Sequence, residues 1–206
     1  MNKYPLMMSK HQELRKRIIE TALLLFKSNG IKAIKMDDIA SSLSISKRTL
    51  YEVFQTKEIL VFECIKHDTE EKDKMYAEFA CKANNEMEIL VYFLKVRLDE
   101  IKSISPRFFS DLYKFPTVVE YIRKSKEKRT RGSVEFLHRG VENGYFVSDI
   151  NYEITNFFCD SIMASVMENK LYNHYTLHEI FRNFILFTLR AYCTDKGLKV
   201  IKTLIT

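Results

Sequence analysis

The sequence predicts an all-α chain, and three observations carry that expectation. Only 5 Gly and 3 Pro occur in 206 residues, so turns are few and helices long. Apolar residues recur at helical spacing, as at Ile18, Ala22 and Leu25/Phe26, with Glu13, Arg15, Lys16 and Glu20 mostly off that stripe. No segment of useful length alternates with the period of a strand, and no internal repeat is present.

The elements follow in order. Residues 1–10 read as a loose arm. A first helix is expected over 11–29, stopped by Asn29-Gly30, because Gly adopts a left-handed cap without strain. A second helix runs over 35–43, with Asp37 and Asp38 in its first turn, where the helix dipole favours acid. Ser44-Ile45-Ser46 form a turn, and Ser46 is placed to N-cap a third helix. On that helix Leu50, Val53 and Phe54 face inward, while Lys47, Arg48, Tyr51 and Glu52 face out. Thr56 caps a fourth helix that starts at Lys57 and ends near Cys81, before the breaker Asn84-Asn85. Further helices are expected over 86–104, 106–115, 117–143, 152–172 and 177–194, followed by an amphipathic tail from Leu198 to Ile205. Pro106 marks a helix start and Pro116 a helix end.

The short helix, turn and short helix of residues 36–57 form the pattern of a helix-turn-helix, which lays its second helix in a DNA major groove. Charge agrees with a nucleic-acid partner. Residues 1–66 hold 12 Lys/Arg against 7 Asp/Glu, so +5 of the formal +6 sits with this motif. Other classes find little support. Cys64, Cys81, Cys159 and Cys193 form no CxxC pair, and their expected state is reduced. No leader-like apolar run opens the chain, and no apolar stretch reaches the roughly 18 residues of a membrane span, so the expected location is cytoplasmic with no membrane partner. No HExxH, nucleophile–base pairing or Gly-rich phosphate loop argues for an enzyme, and no cofactor is implied.

Specific residues extend the pattern: Ile18-Ile19-Glu20-Thr21-Ala22 with Phe26 and Gly30, then Met36-Asp37-Asp38-Ile39-Ala40. Ser46-Lys47-Arg48-Thr49-Leu50-Tyr51 and Phe54 follow, and Thr56-Lys57-Glu58 closes the set. With three short helices, a longer connecting helix and five or six more, this chain resembles the TetR family of bacterial transcriptional regulators. The likeness is dense over 15–62 and elsewhere rests on helix number and length. It implies that Tyr51 and Lys57 contact phosphates and that the start of the third helix reaches base edges. The phosphate contacts would set register, and the groove contacts sequence. The DNA-binding set is therefore Lys35, Ser46, Lys47, Arg48, Thr49, Tyr51 and Lys57, with Thr49 serving phosphate or base.

Three positions depart from the family pattern. Lys35 stands where Thr or Ser usually caps the second helix, and a phosphate contact is its expected substitute role. Ser44 stands where Gly is common, and a left-handed backbone there would cost Ser about 1 kcal/mol more than Gly. Glu52 puts an acid on the reading face, to accept from a cytosine amino group or to pair with Arg48 one turn earlier.

In the C-terminal part, Leu90, Leu94, Arg97 and Ile101 share one helical stripe. Arg97 there has two readings. It binds an acidic effector bidentately, or it pairs with a carboxylate such as Asp111 or snorkels to the surface. Phe93 and Tyr113 belong to an aromatic-rich region that serves as core or lines a ligand cavity, and with Arg97 they form the candidate effector set. The basic run Arg123, Lys124, Lys126, Lys128, Arg129 and Arg131 reads as a solvated helix face or a second nucleic-acid patch. His174 and His178 lack a third metal ligand. The resemblance implies that the last two long helices form a four-helix dimer interface, here through Phe157, Phe158, Ile162, Phe181, Phe184, Ile185, Thr188 and Tyr192. A two-fold dimer also suits a palindromic operator.

The expected protein is thus a homodimeric, DNA-binding transcriptional regulator. Residues 1–55 read double-stranded DNA, and 56–206 bind a small-molecule effector that releases a repressor, with the fourth helix as the mechanical link. The alternative is a ligand-independent DNA-binding dimer of the same fold, acting through DNA architecture or a protein partner. A C-terminal part packed without a cavity would favour it.

Overall fold

The computed structural model describes residues 4–205, and the first three residues of the expected arm lie outside that range. The described residues form ten α-helices: α1 (Tyr4–Asn29), α2 (Met36–Ser42), α3 (Lys47–Val53), α4 (Lys57–Ala80), α5 (Glu86–Ile101), α6 (Pro106–Leu112), α7 (Pro116–Glu142), α8 (Tyr152–Glu168), α9 (Leu177–Tyr192) and α10 (Asp195–Ile205). A 3-10 turn, Leu171–Asn173, precedes α9. Among these residues the strand-like pairing is a lone bridge between Phe146 and Cys193. The all-α expectation holds.

Local chemistry explains the boundaries. Asn85, Asn151 and Thr176 each accept a backbone N–H of the following turn, and Glu179 returns the favour to the Thr176 backbone in a capping box. Ser105 caps α6, with Pro106 at its first position, where a missing N–H costs nothing. Thr56 Oγ1 accepts the N–H of Ile59 at 3.2 Å. Helix α1 begins earlier than expected, at Tyr4. Helix α8 ends earlier, at Glu168, because Lys170 adopts a left-handed backbone (φ +53°) that turns the chain.

Two compact units result. The first holds the residues up to Asp73 together with Ile104–Tyr121, and the second holds Lys74–Ser103 and the residues from Ile122 on. This division differs from the boundary drawn at 55/56: the first unit also takes in α4 as far as Asp73, and α6, which packs on α1. In the first unit Ile18, Ala22, Phe26, Ile39, Leu50, Phe54, Leu60 and Val61 are almost completely buried. Fully burying each of the larger of these side chains stabilises by about 1.5–3 kcal/mol, and the Ala22 methyl by less. Gly30 is required where α1 turns off: its φ is +92°, and a Cβ there would lie 2.8 Å from the Arg107 Cβ on α6.

The second unit packs α5 against α9 and α10. Its core joins Met87, Val91, Leu94, Leu137, Phe146, Tyr152, Leu189, Cys193 and Ile201. Glu86 is buried beside this core, where Arg139 Nε (3.4 Å) and Asn143 Nδ2 (3.0 Å) donate to its carboxylate. No helix among the described residues is long and apolar enough to cross a membrane.

Candidate functional site

The motif of α2, turn and α3 is built by backbone bonds and two caps. Lys35 cannot accept a hydrogen bond through its ammonium, so Asp38 completes the helix start instead: its carboxylate accepts the Lys35 N–H at 2.7 Å. The Ser44 N–H donates to Ser41 O (3.1 Å) and the Ile45 N–H to Ala40 O (3.0 Å), which folds the turn tightly. Ser44 takes the left-handed backbone expected of it, with φ +54°. Ser46 then N-caps α3: its Oγ accepts the Thr49 N–H at 3.0 Å and lies 2.8 Å from the Thr49 hydroxyl. Those contacts give Ser46 and Thr49 a structural use within the motif.

Leu50 and Phe54 anchor α3 in the core. The opposite face carries Lys47, Arg48, Tyr51 and Glu52, all exposed. Lys47 Nζ donates to Asp37 at 3.0 Å, and Arg48 Nε donates to Glu52 at 2.9 Å. The hydrogen bond to Asp37 holds the Lys47 ammonium's pKa above its ordinary value, and the bond to Glu52 does the same for Arg48. Both cations stay charged, yet their partners are solvated, and such surface pairs contribute little. A phosphate or a guanine edge can therefore replace those partners at small cost. Of the two roles open to Glu52, the structure displays the pairing with Arg48.

Lys57 requires a correction. Its side chain turns inward, where Nζ donates to the carbonyls of Ile31 and Ile34 and lies 5.8 Å from the centroid of the Phe26 ring. Burial lowers its pKa, with the nearby carboxylates of Asp111, Glu58 and Asp38 opposing. The ammonium that the resemblance assigned to a phosphate is here a clamp on the loop that launches α2. The reason is distance along the chain: 23 and 26 residues separate Lys57 from the carbonyls it holds.

The second unit contains a cavity of about 450 Å³. Helices α5, α7, α8 and α9 supply its walls, with Tyr76 from α4 and Phe146 from the α7–α8 connection. Leu90, Leu94, Phe136, Leu137 and Leu189 make it apolar, and Asn156, Thr188 and Tyr192 add neutral polar groups. Of the candidate effector residues, Phe93 lines this cavity and two do not. Tyr113 is 64% exposed and belongs to the first unit. Arg97 is partly exposed and pairs with Glu100 at 3.6 Å, one turn along its own helix. Of its two readings, local pairing at the surface is the observed one. Asp111, offered above as its partner, instead accepts the Lys32 backbone N–H.

The residues expected at a dimer interface fall into three groups. Phe157 and Phe158 on α8 are 66% and 55% exposed, and Ile162 is exposed beside them. Phe181 and Phe184 on α9 are half-buried, whereas Ile185, Thr188 and Tyr192 line the cavity. Phe187, also exposed, joins the outer group and was missed in the sequence, although it lies three residues beyond Phe184 on the same helix. Asn156 was missed as well. Its neighbours Glu153, Thr155 and Asp160 are polar too, so nothing in the sequence marks its amide as a lining group. In the basic run of α7, Arg123 pairs with Glu127 and Lys126 with Asp160, as a solvated face does, and the side chain of Arg131 lies outside the described residues. Among the described residues no group of three metal-ligating side chains gathers, and Thr176 starts α9 between His174 and His178.

Known proteins share the fold. Residues 18–64 match the model of the family "Bacterial regulatory proteins, tetR family". The HTH-type transcriptional repressor KstR2 of Mycolicibacterium smegmatis is 22% identical over 195 residues, which cover 90% of this chain and 93% of the relative. The ketosteroid transcriptional regulator KstR2 of Mycobacterium tuberculosis superposes with a TM-score of 0.58 at 21% identity, covering 88% of this chain and 95% of that one. A TetR-family transcriptional regulator from Agrobacterium tumefaciens superposes with a TM-score of 0.72 at 17% identity, covering 89% and 100%.

Proposed function

We propose that this chain, whose residues 18–64 match the model of the family "Bacterial regulatory proteins, tetR family", is a homodimeric transcriptional repressor that a small molecule releases from its operator. The observation that carries this reading is the Ser46-capped helix α3, which presents Lys47, Arg48 and Tyr51 on a free face opposite its buried anchors Leu50 and Phe54. Side chains at such a helix start reach base edges, and a tyrosine hydroxyl one turn on suits a phosphate. The repressor sign follows the repressors that this chain is similar to over most of its length.

Two further features support the dimer and the effector. Phe157, Phe158, Ile162 and Phe187 form an apolar surface of the kind that a second subunit covers. A two-fold dimer places two α3 helices for a palindrome. The cavity in the second unit lies in the size range of ligand pockets, roughly 300–1,000 Å³. Its presence favours the effector reading over the ligand-independent one. Release then requires that the ligand bind better to the dimer shape that misfits DNA, and by linkage DNA weakens the ligand equally. The domain that reads DNA ends by 55, the rest serves dimerisation and sensing, and the expected place of action is the cytoplasm.

The test is selection of bound fragments from a genomic library, with salt varied, by the wild type, Arg48→Ala and Tyr51→Ala. The reading expects a discrete palindromic site that both variants lose. Weak, sequence-blind binding with only a steep salt slope contradicts it.

A further inference from the structure

The cavity of the second unit is built for a particular kind of molecule. Resting on its reading as the effector site, we infer that it takes an uncharged, largely apolar ligand with one hydrogen-bonding group, held where Asn156, Thr188 and Tyr192 gather. No charged side chain lines it among the described residues. The arginine nearest in sequence to its α5 wall, Arg97, is engaged with Glu100 instead. An anionic head would enter an apolar, aromatic enclosure and meet no counter-charge, and desolvation would oppose it strongly.

The polar groups that line the site are all neutral: Asn156, Thr188 and Tyr192 on α8 and α9, and the hydroxyls of Ser133, Tyr76 and Tyr92. The Tyr192 hydroxyl donates to Asn156 Oδ1 at 3.4 Å, which joins α9 to α8. One turn before Tyr192, the Thr188 hydroxyl donates to the Phe184 carbonyl at 2.9 Å, so its oxygen retains lone pairs to accept with. The Asn156 amide contributes N–H donors, and the phenol and threonine oxygens contribute acceptors. A ligand hydroxyl can use both kinds, and a carbonyl can use the first. Leucine, isoleucine and phenylalanine make up most of the remaining wall, with Tyr76, Tyr92 and Ser133 as its other members, so a neutral polar end and an apolar body fit the lining.

A cationic head is the competing chemistry, since aromatic faces attract quaternary ammonium groups. Here the faces are used by one another. Tyr92 stacks on Phe79 at 3.8 Å between centroids, and Tyr76 packs on Phe93 at 5.0 Å and edge-on to Tyr92 at 6.3 Å. No carboxylate among the lining residues completes a cation site.

The test compares head groups on a single chain length, with the full protein. The probes are 1-decanol, decanoate and decyltrimethylammonium, each below its aggregation limit. Affinity is read from the upward shift in melting temperature followed by circular dichroism, and release from a retained operator fragment is read separately. At about pH 8 decanol should bind at least about tenfold more tightly than either ion, and decanoate should gain as pH falls toward about 5 and its carboxyl turns neutral. Asn156→Leu and Tyr192→Phe should each weaken decanol by about three- to tenfold, the loss of one hydrogen bond. The wild-type comparison needs no variant to fold. Decanoate or the ammonium binding as well as decanol overturns the inference. If one of them also releases the operator, the effector reading stands while the neutral ligand falls. Binding by none of the three overturns both.

Discussion

The Asp111 carboxylate accepts the backbone N–H of Lys32 at 2.8 Å, joining residues 79 positions apart. Lys57 holds the carbonyls of Ile31 and Ile34 in the same loop. One buried acid and one inward ammonium thus fix the segment that launches α2, the helix that packs on α3. Asp111→Ala should destabilise the chain by about 1–3 kcal/mol, the cost of an unsatisfied donor. Asp111→Asn keeps an acceptor oxygen and should recover most of that loss. Urea unfolding measures both, and an Ala variant as stable as wild type would contradict the assignment.

Gly30 sits under the same acid. Its φ of +92° and the 2.8 Å approach of Arg107 Cβ leave no room for a side chain. Gly30→Ala should lose at least about 1–2 kcal/mol from the left-handed backbone alone. A loss below that, read from the midpoint of urea unfolding, would mean that α6 shifts freely.

The turn offers a pair of opposite signs. Ser44 holds a left-handed backbone at φ +54°, so Ser44→Gly should stabilise by about 1 kcal/mol. Ser46 caps α3 two residues later, so Ser46→Ala should destabilise by about 1 kcal/mol. Thermal melts that move both variants in the same direction would refute the turn geometry.

Glu86 gives a pH dependence. Burial alone would raise its pKa, but hydrogen bonds from the backbone, Asn143 and Arg139 outweigh burial and hold it below the ordinary carboxylate value. A carboxylate depressed in the folded state stabilises fully above its unfolded pKa, about 4.3, and loses that contribution as pH falls through the folded value. Wild type should therefore exceed Glu86→Gln in melting temperature at neutral pH, and the gap should close as pH drops below about 4. A gap that widens in acid would reverse the sign.

Much of the fold was legible because its boundaries are written in neighbouring residues. Asn29-Gly30, Ser46, Thr56 and Pro106 each act on the backbone within one turn, so their effect is local and readable. The outward face of α3 was readable for the same reason, since Leu50 and Phe54 fix which side is buried. What failed depends on contacts far along the chain. Lys57 resembles a phosphate ligand until the carbonyls of Ile31 and Ile34 are brought to it. Arg97 shares a stripe with Leu94 and Ile101, but spacing does not tell whether a neighbouring helix covers that turn, and Glu100 takes it at the surface. Ile185, Thr188 and Tyr192 lie on the same helix as Phe187, and only the packing separates the cavity side of α9 from the open side. A cavity is space left between side chains of several helices, so no residue type announces it.

The central claim is that two copies of α3 read a two-fold DNA site through Arg48 and Tyr51. The most direct measurement is hydroxyl-radical footprinting on the tightest fragment recovered from the genomic selection, with wild type, Arg48→Ala and Tyr51→Ala compared at equal salt. The account predicts two symmetric protected half-sites spaced by about one helical turn or a multiple of it, and their loss in both variants at concentrations that saturate the wild type. Uniform protection without a dyad, or a footprint unchanged by both substitutions, would contradict it.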